Sequence, residues 1–342
     1  TVHFIGIGGI GMSGIAELMI DLGYIIQGSD INLNPNIERL IKRGIKFFKG
    51  HNKKNIDKVS VVVFSSAIKK NNPELIECKK HSIPVISRAD MLAELMRFKK
   101  SIAIAGSHGK TTTTSLVGAM FDNAKFDPSI VNGGIINSYS KNNRFGKGEW
   151  MIVEADESDG SFLRLPHQIN IITNIDIEHL DFYKTKENLL MAFNNFITNL
   201  PFYGYSIMCI DSENLNKISK KVKNRNIITY SINKKSDIKI KLIKKNKTDT
   251  EFSLYFKKDI IENINGTFFF KTNLLGDHNI LNATAAIIAS LIAKISLNKI
   301  KDSLRNFQGV KRRFSFIGTI GKAMIYDDYA HHPSEIRASY QI

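Results

Sequence analysis

The chain has 342 residues, of which 43% are hydrophobic, so it is globular in composition and long enough for two or three domains. No apolar run approaches the roughly 20 residues that a membrane span needs, and the start lacks a signal-peptide pattern, so the sequence predicts a soluble, cytoplasmic protein that does not bind a membrane. The net charge of +16 comes from lysines spread along the chain, without the aromatic interleaving of a strand-stacking surface, which argues against nucleic acid as a partner.

Strand-length apolar runs alternate with amphipathic stretches from the start of the chain. Such runs, each followed by a helical stretch, predict an α/β fold with a parallel sheet covered on both faces. From about 236 to 270 the pattern changes to two-residue alternation, which predicts a small antiparallel annex. A helix is predicted at 279–293. The runs read as parallel strands are 2–7, 24–28, 59–64, 102–105, 152–155 and 169–173.

A glycine loop follows the first predicted strand and opens a helix. Gly6, Gly8 and Gly11 have the spacing of the dinucleotide fingerprint, and Asp30 ends the next strand. Glycines at these positions allow a tight turn and a close approach of the backbone to a diphosphate at the helix N-terminus. Taken alone, the loop predicts a nucleotide diphosphate site and most readily suggests a nicotinamide-dependent oxidoreductase. A purely structural strand-to-helix turn is the alternative.

A second loop, at 106–113, follows another buried strand and also opens a helix. Its Gly-Lys-Thr string is typical of loops whose backbone N–H groups bind phosphates, with Lys110 reaching the terminal phosphates and Thr111 holding Mg²⁺. Ile104 stands where the general P-loop pattern has its first glycine, so the string is not met in full. A polar helix cap is the alternative, but a cap needs no lysine. A hydride-transfer enzyme has no use for this second loop.

Acidic and imidazole side chains follow two later strands. The acidic run 154–159 closes the strand at 151–153, and His179 lies beyond the end of the strand at 169–173. Ligands of open α/β sheets bind at the carboxyl ends of the strands, and Mg²⁺ prefers carboxylate, phosphate and water oxygens. These positions therefore indicate a metal–nucleotide site. A solvated acidic turn and an ordinary loop histidine are the alternatives.

With these motifs in place, the chain resembles the Mur ligase family over nearly its whole length. The stretches that carry the resemblance are HFIGIGGIGMSGIAELM at 3, SSAI at 65, AGSHGKTTTT at 105, VEADESDGSFL at 153, NLPFYG at 199, GDHNILNATAA at 276, GVKRRF at 309 and DDYAHHPSE at 327. The resemblance is closest to the branch that joins L-alanine to UDP-N-acetylmuramate in peptidoglycan synthesis, a step of cell-wall growth, cell shape and division. It implies ATP and Mg²⁺ as cofactors. The muropeptide-recycling ligase of the same family and an NAD-dependent dehydrogenase are the competing interpretations.

The resemblance implies three domains: a Rossmann-like UDP-substrate domain at 1–100, a P-loop-type ATP-binding domain at 101–307, and the start of a third Rossmann-like domain at 308–342. Since the third domain is incomplete here, the amino-acid pocket is expected to lie outside this sequence, and catalysis by these 342 residues alone is not expected. In this loop Ser107 replaces the threonine common in the family, a change that leaves the backbone cradle intact.

The resemblance also assigns roles to individual residues. The muramoyl carboxylate would attack the γ-phosphate of ATP to give an acyl phosphate, which the amine of L-alanine then attacks, with negative charge stabilised by Lys110 and Mg²⁺. The implied catalytic residues are Lys110, His179 and His331, with His332 as the alternative proton acceptor. The implied metal ligands are Thr111, Glu154 and His179. The implied ATP-binding residues are Gly106, Ser107, His108, Gly109, Lys110, Thr111, Thr112, Asn279, Asn282, Arg313 and Asp328. The implied UDP-substrate residues are Gly8, Gly9, Gly11, Met12, Ser13, Asp30, His51 and Ser66.

Overall fold

The structure is a computed structural model that describes the chain except Ser66, 137–140, Lys322 and 341–342. It divides into two compact units. The first comprises Thr1–Phe98 with Asn143–Phe145, and the second comprises Lys99–Asn142 with Gly146–Ile342. Among the described residues, no helix has both the length and the apolar character that crossing a membrane requires.

The first unit is built on a five-stranded sheet in which every pairing is parallel. The central strand β1 is buried at all four positions, as expected for a strand covered by helices on both faces. The strand order is β3-β2-β1-β4-β5. The elements are β1 Val2–Ile5, α1 Ile10–Asp21, β2 Ile26–Asp30, α2 Pro35–Lys42, β3 Lys46–Lys49, β4 Val61–Phe64, α3 Pro73–Lys80, β5 Val85–Ser87 and α4 Arg88–Met96.

The second unit is built on a large mixed sheet that runs in the order β15-β14-β13-β12-β11-β10-β6-β9-β7. The strands from β12 to β7 pair in parallel, whereas β13, β14 and β15 pair antiparallel. The predicted antiparallel annex is therefore present, and it continues the central sheet because β13 pairs with β12. The strands are β6 Lys100–Ala105, β7 Ser129–Ile136, β8 Lys141–Arg144, β9 Trp150–Glu154, β10 Ile169–Ile172, β11 Tyr205–Cys209, β12 Asn226–Ser231, β13 Ile238–Lys245, β14 Thr250–Ile261 and β15 Ile264–Thr272.

The helices of the second unit cover this sheet. Helix α9 is buried along most of its length, and its alanines allow a close approach to α5, which contributes Leu116, Met120 and Phe121 to the same core. At Gly118 an added Cβ would lie 2.6 Å from Ile130 Cδ1, so the glycine lets α5 pack closely against β7. The helices are α5 Lys110–Asn123, α6 Leu180–Tyr183, α7 Lys186–Thr198, α8 Glu213–Lys221, α9 Asp277–Ile292 and α10 Leu297–Asn306.

The last part of the second unit is an antiparallel hairpin followed by a helix. Its elements are β16 Ser315–Ile320, β17 Ala323–Asp327 and α11 Pro333–Tyr340. Parallel sheets with helices between the strands, and the antiparallel annex, confirm the predicted α/β fold class.

Candidate active site

The glycine loop of the first unit lies between β1 and α1, as predicted. Gly6 has a φ of +81°, which favours glycine. The N–H of Gly8 donates to Asp30 Oδ2 over 2.8 Å, while the side chains of Asn34 and Asn36 donate to the Gly8 carbonyl. Asp30 therefore fixes the conformation of the loop itself. A Cβ on Gly8 would lie 2.5 Å from Asn34 Nδ2, so a larger residue would displace the side chains that hold the loop.

The other predicted UDP-substrate residues occupy different environments. Gly9 is exposed and Gly11 partly exposed at the loop, whereas Met12 and Ser13 are buried in α1. Ser13 donates to the Ile10 carbonyl. Ser66 lies outside the described residues.

His51 belongs to a buried polar cluster that sequence reasoning missed. Its Nδ1 lies 3.1 Å from Glu74 Oε2, and the carboxylate also accepts from Ser29 Oγ at 2.7 Å and Asn55 Nδ2 at 2.6 Å. Glu74 is 0% exposed. Burial by itself raises the pKa of Glu74, but hydrogen bonds from His3, Ser29 and Asn55 outweigh it and lower the pKa below its usual value. An ionised carboxylate therefore holds one face of His51.

Arg88, the first residue of α4, also lies beside the glycine loop. A Cβ on Gly11 would lie 2.9 Å from Arg88 Nη1, so the guanidinium group covers this glycine. Guanidinium groups are well suited to phosphate oxygens. Arg88 is therefore a candidate for diphosphate binding, beside the glycine loop, that the sequence analysis did not predict.

The loop at the start of α5 has the shape of a phosphate-binding loop. Gly106 and Gly109 have φ values of +129° and +82°, both in the region that side chains disfavour. A Cβ on Gly109 would lie 2.5 Å from Asn282 Oδ1, which places that predicted ATP-binding amide against the loop. Ser107 donates its hydroxyl to the Asp176 carbonyl and accepts the Asp176 N–H, so it joins the loop to the segment after β10.

Lys110 lies within the loop and does not reach into solvent. Its Nζ donates to the Gly106 carbonyl at 2.6 Å and to both oxygens of Glu157 at 2.8 and 2.9 Å. Glu157 is 1% exposed. Burial raises the pKa of Glu157 even though the charge of Lys110 opposes the shift. The lysine therefore neutralises a carboxylate that would otherwise be buried without a counter-ion.

Two of the three predicted metal ligands are in contact. Thr111 Oγ1 donates to Glu154 Oε1 over 3.2 Å, and the second oxygen of Glu154 accepts the Gly133 N–H at 2.8 Å. His179 lies in a neighbouring group, with its Nε2 4.0 Å from oxygens of both Glu157 and Glu178. The ligand atoms of Glu157, Glu178 and His179 lie within 4.8 Å of one another. A hydroxyl, carboxylates and an imidazole at the carboxyl ends of β9 and β10 form a donor set that suits Mg²⁺ together with phosphate oxygens.

A cavity of about 270 Å³ opens at the N-terminus of α5. Its wall contains most of the residues predicted to bind ATP, and Gly106, Ser107 and Lys110 are the predicted residues outside it. Asn279 and Asn282 reach it from α9, and Arg313 and Asp328 from the C-terminal segment. The predicted residues that line it are His108, Gly109, Thr111, Thr112, Asn279, Asn282, Arg313 and Asp328.

His108 is surrounded by carboxylates at the edge of this cavity. Its Nε2 lies 3.0 Å from Asp176 Oδ2 and 3.4 Å from Glu178 Oε1, and its Nδ1 lies 3.2 Å from Glu335 Oε1. Burial alone would lower the pKa of His108, but the hydrogen bonds to Asp176 and Glu335 and the neighbouring charges raise it to about 9. The same contact lowers the pKa of Glu335 to about 2, against the effect of burial.

The C-terminal segment contributes side chains to the loop. Arg313 Nη2 lies 3.5 Å from Thr111 Oγ1. Asp328 accepts the Ala330 N–H within the loop that follows β17. His331 is an exposed side chain whose Nδ1 lies 3.1 Å from the Tyr329 carbonyl. The neighbouring His332 faces the loop instead, with its Nε2 3.3 Å from Glu178 Oε1.

Sequence reasoning gave no site role to several residues of this cavity. Asn174 holds the loop by accepting the His108 N–H at 2.9 Å and donating to its carbonyl at 3.0 Å. Its position two residues beyond the end of β10 was the signal that could have found it, since strand ends carry ligand-binding residues in such sheets. Glu335 has no comparable signal, because a helix N-terminal glutamate is common for local reasons.

The two glycine loops at strand-to-helix junctions, one with a lysine and a threonine–carboxylate pair, define a phosphate-binding α/β protein of the nucleotide-dependent class. The sequence profile "Mur ligase family, catalytic domain" matches residues 1–100, and "Mur ligase middle domain" matches residues 104–290. The chain belongs to the Mur ligase family.

Individual relatives agree with this assignment. The chain is 48% identical to UDP-N-acetylmuramate–L-alanine ligase of Xanthobacter autotrophicus over 99% of its own length and 72% of the relative. It is 50% identical to the ligase of the same name from Rickettsia felis, over 99% and 71%. Among solved structures, the UDP-N-acetylmuramate–alanine ligase of Thermotoga maritima superposes with a TM-score of 0.81 at 27% identity, over 100% of this chain and 76% of that one. The murein peptide ligase of Psychrobacter arcticus gives 0.80 at 25%, over 99% and 75%.

Proposed function

We propose that this chain carries the UDP-substrate and ATP sites of an ATP-dependent ligase that joins L-alanine to the carboxylate of UDP-N-acetylmuramate in peptidoglycan synthesis. The observation that carries the proposal is the assembly of His108, Gly109, Thr111, Asn279 and Asn282 around one cavity at the phosphate loop. The names of the relatives that are 48% identical over nearly the whole chain support the amino acid and the sugar nucleotide.

The proposed first step is attack of the muramoyl carboxylate on the γ-phosphate of ATP, which forms a carboxyl–phosphate bond and releases ADP. Lys110 now holds the oxygens of Glu157 and the Gly106 carbonyl, and we assign it to the terminal phosphate oxygens once ATP binds. Thr111, Glu154 and His179 would hold Mg²⁺, which when bound neutralises phosphate charge. In the second step the amine of L-alanine attacks the acyl carbon and phosphate leaves.

The remaining site assignments are part of the same proposal. Gly8, Gly9, Gly11, Asp30 and His51 would position the UDP-sugar, together with the backbone at 12–13 and Ser66. Arg313 and Asp328 would close the ATP site, and His331 would accept the proton of the alanine ammonium group. We also propose the division into domains at 1–100, 101–307 and 308–342.

Calorimetric titration tests the substrate assignment. We expect UDP-N-acetylmuramate to bind more tightly than UDP-N-acetylglucosamine, and NAD not to bind. Tighter binding of NAD would replace the proposal with a dehydrogenase, and equal binding of both UDP-sugars would remove the muramate assignment. The recycling ligase is separated by the acceptor, measured on the full-length protein: formation of phosphate from ATP should require L-alanine, and a requirement for a peptide instead would identify the recycling activity.

A further inference from the structure

A group of imidazole and carboxylate side chains lies beside the phosphate loop, apart from the Thr111–Glu154 pair. His108, Asp176 and His332 each offer one ligand atom, and these atoms lie within 4.8 Å of one another. The three residues come from three different segments: the phosphate loop, the loop after β10, and the residue before α11. We propose that these side chains form a binding site for a transition-metal dication of the Zn²⁺ type, distinct from the proposed Mg²⁺ site, with Glu178 lying between the two groups.

The spacing of the atoms agrees with such an ion. In a tetrahedral site with bonds of 2.0–2.1 Å, neighbouring ligand atoms are about 3.3 Å apart. Here His108 Nε2 is 3.0 Å from Asp176 Oδ2 and 3.4 Å from Glu178 Oε1, and His332 Nε2 is 3.3 Å from the same Glu178 oxygen. Small rotations of the side chains would bring the nitrogen and oxygen atoms onto one cation.

One carboxylate oxygen of Glu178 is buried between the imidazoles without a hydrogen bond. This oxygen is Oε1, and two imidazole nitrogens lie within 3.4 Å of it. A buried carboxylate oxygen without a hydrogen bond is costly. A cation between the two imidazoles would satisfy it and offset the excess of carboxylate charge around them.

Glu335 fixes the tautomer that the site needs. Its Oε1 lies 3.2 Å from Nδ1 of His108, so Nδ1–H donates to the carboxylate, and a metal at Nε2 would replace the proton that this nitrogen shares with Asp176. Metal-binding histidines commonly donate their second N–H to a carboxylate in this way. Imidazole ligands select Zn²⁺, Ni²⁺, Cu²⁺ or Co²⁺ over Mg²⁺, which prefers oxygen. The ion would fasten the segment before α11 to the phosphate loop.

The test is binding of Co²⁺ and Zn²⁺ to the chain in the presence of excess Mg²⁺. We expect one equivalent of Co²⁺ with the intense visible bands of a tetrahedral site, displaced by Zn²⁺. His332→Ala and Asp176→Asn should each weaken Zn²⁺ binding at least about 10-fold. His331→Ala is the matched control, since the adjacent histidine lies outside the group, and Glu154→Gln tests the Mg²⁺ site; both should keep the bands.

A thermal melt provides an independent measurement, since an ion that joins three segments stabilises the folded chain. Zn²⁺ should raise the melting temperature of the unaltered chain and of His331→Ala but not of His332→Ala, with circular dichroism in chelator confirming that each variant is folded. The proposal is overturned if the unaltered chain binds neither ion in excess Mg²⁺, if His332→Ala binds as tightly as His331→Ala, or if Glu154→Gln abolishes the bands.

Discussion

The ammonium group of Lys110 lies 2.8 Å from the carboxylate of Glu157 in the phosphate loop, and the glutamate is almost completely buried. The two groups neutralise each other in the nucleotide-free chain. A γ-phosphate that takes the lysine must therefore compete with a carboxylate already in place, and it leaves Glu157 free to meet a metal ion or a proton. The buried partner gives the loop lysine a structural role in addition to the phosphate-binding role proposed for it.

This pairing predicts that Lys110→Met destabilises the chain. Removing one member of a buried ion pair leaves an uncompensated charge, which costs about 3 kcal/mol in the free energy of unfolding. Lys100→Met is the control, because its pair with Glu149 has the same 2.8 Å length but is exposed, and such pairs contribute about 0–1 kcal/mol. The measurement is urea unfolding without nucleotide. If Lys110→Met/Glu157→Gln is no more stable than Lys110→Met, burial of the carboxylate is not the cause.

The carboxylates around His108 predict a pH-dependent stability. Because the pKa of His108 is raised from 6.5 to about 9 in the folded chain, its stabilisation is complete below about pH 6.5 and is lost as the pH rises through 9. The shift corresponds to at most about 3 kcal/mol, reduced by partial solvent exposure. Unfolding in chelator at pH 6.5 and 9.5 measures it.

His108→Gln should remove most of this pH dependence. His81→Gln is the matched control, since His81 also pairs with a glutamate but on the exposed surface. An unchanged pH profile in His108→Gln would show that another group titrates. Glu335, whose pKa is lowered to about 2, stabilises the chain above its usual pKa of 4.5, and that contribution is lost only as the pH falls toward 2.

Glu74 is predicted to position His51 for the UDP-sugar. Glu74→Gln keeps the shape but removes the negative charge that holds His51 and His3, so UDP-N-acetylmuramate should bind about 10-fold more weakly and the unfolding free energy should fall by about 1–3 kcal/mol. Glu77→Gln, on the same helix but with its carboxylate bonded to the surface residues Lys80 and His81, should change neither. Calorimetry separates the two variants. If Glu74→Gln loses stability but binds normally, the cluster is structural only.

The sequence predicted the fold class and the loop positions because both depend on local signals. Strand-length apolar runs ended by glycines located β1 and β6, and the Gly-Lys-Thr string located Lys110 at the first turn of α5. The continuity of the annex with the central sheet was not predicted, because the side-chain pattern of a strand shows which face is buried but not which strand it pairs with, as β13 does with β12.

The partners of the site residues were harder to predict than the residues themselves. Glu157 stood in an acidic run that gave no sign which carboxylate would be buried, and Glu74 lies in an ordinary amphipathic helix. Their roles depend on side chains brought together from distant parts of the chain, 47 residues apart for Lys110 and Glu157. The choice between His331 and His332 depends on the local turn before α11, which two adjacent histidines do not reveal.

Gly8 provides the most direct test of the first unit. Gly8→Ala would place a methyl group 2.5 Å from Asn34 Nδ2 and 2.9 Å from Asp30 Oδ2, so these side chains must shift and their hydrogen bonds with Gly8 must weaken. We expect the affinity for UDP-N-acetylmuramate to fall at least about 10-fold, since a loop that binds diphosphate needs close backbone approach, while ATP binding is unchanged. Gly318→Ala is the matched control, because nothing lies within 4 Å of its added Cβ. Unaltered binding of the UDP-sugar to Gly8→Ala, measured by calorimetry, would mean that the substrate does not use this loop.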